Sequence, residues 1–245
     1  MLVLGIETST RQGGAALLGE EGLLGEIFLD IATTHSERLF PLIDHLLAST
    51  GRSLDAVDGI AVAIGPGSFT GLRIGLSTAK GLALATERPL VGIPTLEAMA
   101  WNLPFCRHPI CPILDARKKE VYCALFRFEA THLRRLMEDC ALTPQALTER
   151  IEEPTVFLGD GVKVYGELLT SLLNDKALFP PLARCVSSAA LVAELGLRRL
   201  LKGEQDDPIS LLPRYIRPSE AELRRKMGQG SDRKGLRSQA QGLKA

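Results

Sequence analysis

The densest chemistry in the chain lies in Gly65-Pro66-Gly67-Ser68-Phe69-Thr70-Gly71-Leu72-Arg73. An apolar run over 60–64 leads in, and a helix reaching about residue 86 leads out. A strand, a glycine turn and a helix can aim backbone N–H groups at an anion. The spacing fits neither common nucleotide motif. A dinucleotide fingerprint begun at Gly65 needs a third glycine at Thr70, and a P-loop needs Gly-Lys at Thr70 and Gly71. Three more turns carry groups that such a ligand could meet: Glu7-Thr8-Ser9, the polar turn headed by Asp115, and Gly159-Asp160-Gly161. Glu7, Thr8, Ser9, Asp115, Gly159 and Gly161 are therefore candidates for nucleotide or anion contact. The same residues also read as ordinary β-turns and a strand-to-helix turn.

Other chemistries find less support. Cys106, Cys111, Cys123, Cys140 and Cys185 form no CxxC pair, so they read as free thiols of a reducing compartment. His35 and His45 are ten residues apart, roughly 80° out of phase on a helix. No HExxH stretch occurs, and no Ser/His/Asp or Cys/His arrangement has helpful spacing for a peptidase.

The elements that must position these turns follow from patterning. Strands are expected over 2–6, 14–18 and 23–30, then a helix capped by Thr34 with Glu37 reaching back. That helix reaches about Ser49, with a kink expected at Pro41. A strand over 59–64, the glycine turn, its helix and a strand over 90–93 complete one α/β unit. The second half opens alike, with strands over 110–114 and 120–128, a strand over 156–158, and helices over 163–173 and 188–202. Two related units are expected, residues 1–104 and 105–222, followed by a basic, disordered tail over 223–245. The formal net charge is zero, so no global field attracts nucleic acid. The N-terminus reads as a strand and not a signal peptide, and no apolar run nears the ~20 residues of a membrane helix. A cytoplasmic protein that avoids membranes is expected.

On the helix after the glycine turn, Gly71, Gly75, Ala79 and Ala83 recur every four residues, and Ser77, Gly81 and Ala85 make a second stripe. Helical glycine costs about 1 kcal/mol against alanine. Small stripes suit close approach, either by a partner's helix or within the same domain.

Two halves that each open strand–polar turn–strand resemble the actin, sugar-kinase and Hsp70 superfamily. Within it the chain is identified as a member of the TsaB (YeaZ) family. The matching residues are Leu4-Gly5-Ile6-Glu7-Thr8-Ser9, His35-Ser36-Glu37-Arg38-Leu39-Phe40-Pro41, the block over 65–81, the stretch over 113–122, and Pro213-Arg214-Tyr215-Ile216-Arg217. The resemblance implies an α/β fold of two related actin-like (ribonuclease-H-like) domains, with mixed central sheets and flanking helices. It implies a noncatalytic subunit needed to form N6-threonylcarbamoyladenosine at position 37 of tRNAs reading codons that begin with A. Its implied partners are a TsaD-type catalytic paralogue and a TsaE-type ATPase, with a homodimer when alone and tRNA met only through the complex. The implied subunit interface uses Leu39, Leu42, Ile43, Leu46, Phe69, Thr70, Leu72, Arg73, Gly75, Leu76, Ala79 and Lys80. A large residue at Gly75 or Ala79 is then expected to weaken partner binding more than it lowers the melting temperature.

The catalytic paralogue carries a metal-binding His-x-x-x-His after the strand that follows the glycine-turn helix. The aligned positions here are Thr95 and Met99, which do not hold a cation as imidazole does. ATP-using members place glycines after the second acidic turn, where this chain has Ala116, Arg117, Lys118 and Lys119. The expectation is therefore no catalytic residue, no metal and no intrinsic cofactor, with nucleotide bound weakly or only at a partner interface. The rival readings are an ATP-binding kinase-like enzyme and a peptidase-like enzyme of the same superfamily.

Overall fold

The computed structural model describes residues 1–31 and 33–217. The expected tail over 223–245, and the end of the expected second unit, lie outside the described residues.

The first sheet begins with an antiparallel meander, β1 (Leu2–Glu7), β2 (Gly13–Gly19) and β3 (Gly22–Leu29). Helix α1 (His35–Ser49) follows, then β4 (Gly59–Gly65), α2 (Phe69–Thr86) and β5 (Leu90–Pro94). A short helix, α3 (Thr95–Ala100), leads out. The second sheet repeats the plan with β6 (Ile110–Asp115), β7 (Val121–Glu129), β8 (His132–Leu142), α4 (Pro144–Thr148), β9 (Thr155–Leu158), α5 (Gly161–Leu173) and β10 (Ala177–Leu178). The strand orders are β3-β2-β1-β4-β5 and, read from its other edge, β8-β7-β6-β9-β10. Both sheets pair antiparallel across the meander and parallel beyond it. The duplication read from pattern is thus a repeated topology of two mixed five-stranded sheets with flanking helices.

Both faces of β1 and β4 are covered, which is why they read as continuous apolar runs. Leu4, Ile6, Ile60 and Val62 face α1 and α2 with Leu39, Leu42, Ile43, Leu46, Leu76 and Ala79. Val3, Ala61, Ala63, Val91 and Ile93 face the other way, against Val192, Ala193 and Leu197. Those three belong to α6 (Ala189–Leu201), the last helix of the described chain. The division at residue 104 separates the sheets, but α6 crosses back to cover the first one. The reason is burial: α1 and α2 occupy one face, and five apolar strand residues remain on the other.

At the entry to α1, Glu37 accepts from the Thr34 N–H at 3.0 Å, as the capping pattern predicts. The Thr34 hydroxyl, however, donates to Glu37 Oε2 at 2.7 Å. The helix assignment continues through the exposed Pro41 to Ser49. Strand β8, helix α3 and helix α4 were not expected from the sequence.

Candidate functional site

The polar turns of the two sheets face one another across a cleft of about 610 Å³. Its lining comes from residues 9–11 after β1, 66–71 before and in α2, 114–118 after β6, Asp160, and an extended segment over 214–217.

The first turn is held from below. Thr8 Oγ1 donates to the Gly71 carbonyl at 2.8 Å, which fastens the turn to α2. His35 Nε2 bonds the Thr10 carbonyl at 2.7 Å, and Arg38 Nη2 donates to the Arg11 carbonyl at 2.7 Å and to His35 Nδ1 at 3.0 Å. An imidazole that gives Nε2–H and accepts at Nδ1 is neutral. Burial, with the Arg38 charge, holds His35 below its ordinary value against the pull of the Thr10 carbonyl. The histidine and arginine of the motif beginning at His35 are therefore scaffolding for the turn. Sequence reading missed that role, although their three-residue spacing on one helix face was visible.

Glu7 lies beneath this turn and is 1% exposed. The Ser9 N–H donates to its Oε1, and its Oε2 has no hydrogen-bond partner among the described residues. Burial pushes the carboxyl up to about 7, and the polar groups of Ser9 offset only part of that rise.

The glycine turn does not present an open nest of donors. Gly65 N donates to Thr95 Oγ1 at 3.1 Å, Ser68 N to the Ser9 carbonyl, Gly71 N to Ser68 Oγ at 3.2 Å, and Leu72 N to the Ser68 carbonyl at 2.9 Å. A β-carbon on Gly67 would overlap the Ser9 carbonyl, and one on Gly71 the Thr8 carbonyl. The glycines admit the chain's own first turn. Across the cleft, Arg117, Lys118 and Lys119 take left-handed φ values of 60°, 53° and 63°, with side chains where a phosphate-binding turn would be bare. Asp115 Oδ1 accepts from Arg117 N at 2.9 Å, and Asp160 Oδ1 accepts from Asp115 N at 3.0 Å. Burial holds the Asp160 carboxyl above its ordinary value. Gly159 and Gly161 stand against the Ile113 carbonyl, 3.0 Å from where a Gly161 β-carbon would sit. These residues do not fit a backbone-cradled nucleotide phosphate.

Thr95 and Met99, the two positions where the sequence reading expects metal-binding histidines to be missing, are 0% and 1% exposed. Thr95 caps the Gly65 N–H, and Met99 packs with Leu96 and Leu114. Among the described residues, no three His, Cys, Asp or Glu side chains gather to hold a metal.

The structure places most of the expected interface residues inside the chain itself. Leu39, Leu42, Ile43, Leu46, Leu72, Gly75, Leu76 and Ala79 are buried in the chain's own first domain. Their apolar face covers the first sheet, and periodicity alone does not say what a face covers. Phe69 and Lys80 are half-buried, while Thr70 and Arg73 are exposed. Outward on α1 are Phe40, Pro41, Asp44 and His45, and outward on α2 are Ser77, Gly81, Leu84 and Ala85.

The segment over 206–217 straps α2 to the second sheet. Asp206 N donates to the Leu90 carbonyl at 2.8 Å, and Arg214 N to the Ile64 carbonyl at 2.6 Å. Tyr215 stacks on Phe69 at 4.5 Å, and Arg73 both covers Phe69 at 4.0 Å and donates to Tyr215 Oη at 2.9 Å. Lys80 Nζ donates to the Ile209 carbonyl at 3.3 Å, and Arg217 pairs with Glu120 beyond the cleft. Tyr215→Ala removes a stack and a hydrogen bond, together about 1–2 kcal/mol. Its expected result is a lower melting temperature and faster trypsin cleavage after Arg214, since Arg217 is followed by a proline that blocks the enzyme. Unchanged cleavage would mean that the strap is held elsewhere.

Against known proteins, residues 28–224 match the family model described as TsaD, tRNA N6-adenosine threonylcarbamoyltransferase. The tRNA threonylcarbamoyladenosine biosynthesis protein TsaB of Bacillus subtilis (strain 168) is 31% identical over 227 residues, covering 91% of this chain and 97% of that protein. A tRNA N6-adenosine threonylcarbamoyltransferase of Solidesulfovibrio magneticus is 34% identical over 200 residues, 74% of this chain but 53% of that protein. The solved structure of YeaZ from Pseudomonas aeruginosa superposes with a TM-score of 0.72 at 28% identity, covering 87% of this chain and 99% of that one. A full-length match to TsaB, set beside a partial match to the transferase, places the chain: it belongs to the TsaB (YeaZ) family, distant relatives of TsaD.

Proposed function

We propose that the chain is a noncatalytic partner subunit in the biosynthesis of threonylcarbamoyladenosine on tRNA. In this reading it binds and supports a TsaD-type transferase and helps form the surface that a TsaE-type ATPase recognises. The observation that carries the reading is at α3. The positions aligned with the transferase's metal-binding histidines are a capping threonine and a core methionine, so the fold keeps its shape where the chemistry has gone. The filled turns around the cleft support the absence of a resident cofactor and leave nucleotide, at most, to weak binding or a composite interface.

The proposed contact surface is the outward side of α1 and α2, with Phe40 and Leu84 56% and 61% exposed. Alone, the chain pairs with itself through this surface, and tRNA is met only within the complex. The protein works in the cytoplasm; no helix among the described residues is long and apolar enough to cross a membrane.

Size-exclusion chromatography with light scattering tests the reading. The chain is run alone and then with the TsaD-type paralogue of the same genome. A stable heteromer replacing the homodimer is the expected result. No complex at micromolar concentrations, with a folded partner, would overturn it. So would ATP turnover by the purified chain that is lost in Asp115→Asn.

A further inference from the structure

The second sheet holds a pair of thiols unrelated to the cleft chemistry. Cys123 on β7 and Cys140 on β8 stand directly opposite one another in the antiparallel register. Their Sγ atoms are 3.6 Å apart. Residues opposed in this way have Cα separations of about 4.5–5.5 Å, inside the range a disulfide spans. Cys123 is fully buried, whereas Cys140 is half-buried on an edge strand. The spacing in sequence hid the pair, because seventeen positions and a hairpin separate the two residues.

We propose that Cys123 and Cys140 form a reversible dithiol–disulfide site that reacts with hydroperoxides. Cys140 is the attacking sulfur. It is the more exposed of the two, and the hydrogen bond with Cys123 holds its thiol below the ordinary value, with Arg150 adding to this while burial and Asp139 oppose it. The hydrogen bond with Cys140, together with burial, pushes Cys123 upward, and burial pushes the nearby Cys111 upward, so neither competes as a thiolate. The Cys140 thiolate attacks a peroxide oxygen, the O–O bond breaks, and hydroxide leaves as the sulfur becomes a sulfenic acid. The Cys123 thiol then attacks that sulfur, the S–O bond breaks, water departs with the thiol proton, and the S–S bond forms. Two electrons pass from the two thiols to the peroxide. The bond staples β7 to β8 beside Tyr122, which lines the cleft.

The test exposes the full chain to hydrogen peroxide and counts thiols. Free cysteines are expected to fall from five to three per chain, as one bond consumes two. The intact mass falls by two hydrogens, a nonreducing peptide map joins Cys123 to Cys140, and dithiothreitol reverses the change. Cys111→Ser retains the reaction, whereas Cys140→Ser keeps all its remaining thiols under the same exposure. The wild-type peptide map decides the matter even if a variant folds poorly. Oxygen addition at Cys140 without the two-hydrogen loss, or a bond joining Cys111 instead, would overturn the proposal.

Discussion

Gly75→Leu is expected to destabilise the chain by about 1–3 kcal/mol, while Gly81→Arg leaves the melting temperature unchanged or slightly raised yet abolishes the complex with the TsaD-type subunit. Both glycines lie on α2, six residues apart, on different faces. A β-carbon at Gly75 would overlap Thr8 Oγ1, which is itself fixed by its 2.8 Å bond to the Gly71 carbonyl. Overpacking a tight contact costs about 1–3 kcal/mol. Losing the Thr8 bond adds about 1 kcal/mol, and the better helix propensity of leucine returns slightly less than that. At Gly81 a β-carbon meets nothing within 4 Å, so arginine gains helix propensity without a clash. The two variants separate folding from binding. Chemical denaturation reads the first, and co-elution with the partner reads the second. Normal binding by Gly81→Arg would remove the outer face of α2 from the interface. A wild-type denaturation midpoint for Gly75→Leu would mean that the Thr8 turn yields.

The surroundings of Gly75 show what sequence conveys and what it withholds. The recurrence of Gly71, Gly75, Ala79 and Ala83 announced a close approach, and close approach is what the structure contains. A glycine records that something comes near, not which chain supplies it. Here the approaching group is the turn over 8–9 of the same domain. The leucines of α1 likewise announced burial without naming the surface covered. By contrast, β1 and β4 were plain in the sequence because both faces are buried, and the entry to α1 was marked by Thr34 and Glu37. Strand β8 was hidden because Arg134, Arg135, Glu138 and Asp139 suit a half-exposed edge strand and obscure its alternation. Helix α3 has only six residues, too few for a period to register. The return of α6 to the first sheet is a long-range pairing that no local pattern encodes. The motif ending at Arg217 was visible as a motif, but its work as a strap depends on Phe69 and Arg73, more than 140 positions away.

Glu7→Gln is expected to flatten the pH dependence of stability and to make the variant more stable than wild type at pH 8 by up to about 3 kcal/mol. The argument starts from burial. Glu7 is 1% exposed, with one oxygen bonded to the Ser9 N–H and the other without a partner among the described residues. Its carboxyl titrates near 7 in the folded chain, against 4.5 as the reference value. Between those values the unfolded chain has lost the proton that the folded chain retains. Raising the pH through that window therefore favours unfolding. The stabilising contribution is complete below about 4.5 and gone above about 7. Each pKa unit is worth about 1.4 kcal/mol, which gives the size of the effect. His35 works in the opposite sense, because its depressed value removes stability as the pH falls through the ordinary histidine range. It is present in both proteins, so the difference between their curves isolates Glu7. Denaturant midpoints at intervals from pH 5 to 8 supply the measurement. Glutamine retains an acceptor for the Ser9 N–H, and any fixed cost of its amide shifts the whole curve without changing its slope. Parallel curves would mean that Glu7 is already ionised in the folded chain at low pH. A cation brought to this turn by a partner subunit would lower the carboxyl's pKa and steepen the difference between bound and free forms. The same titration repeated in the complex would then report whether the turn beneath the cleft senses the partner.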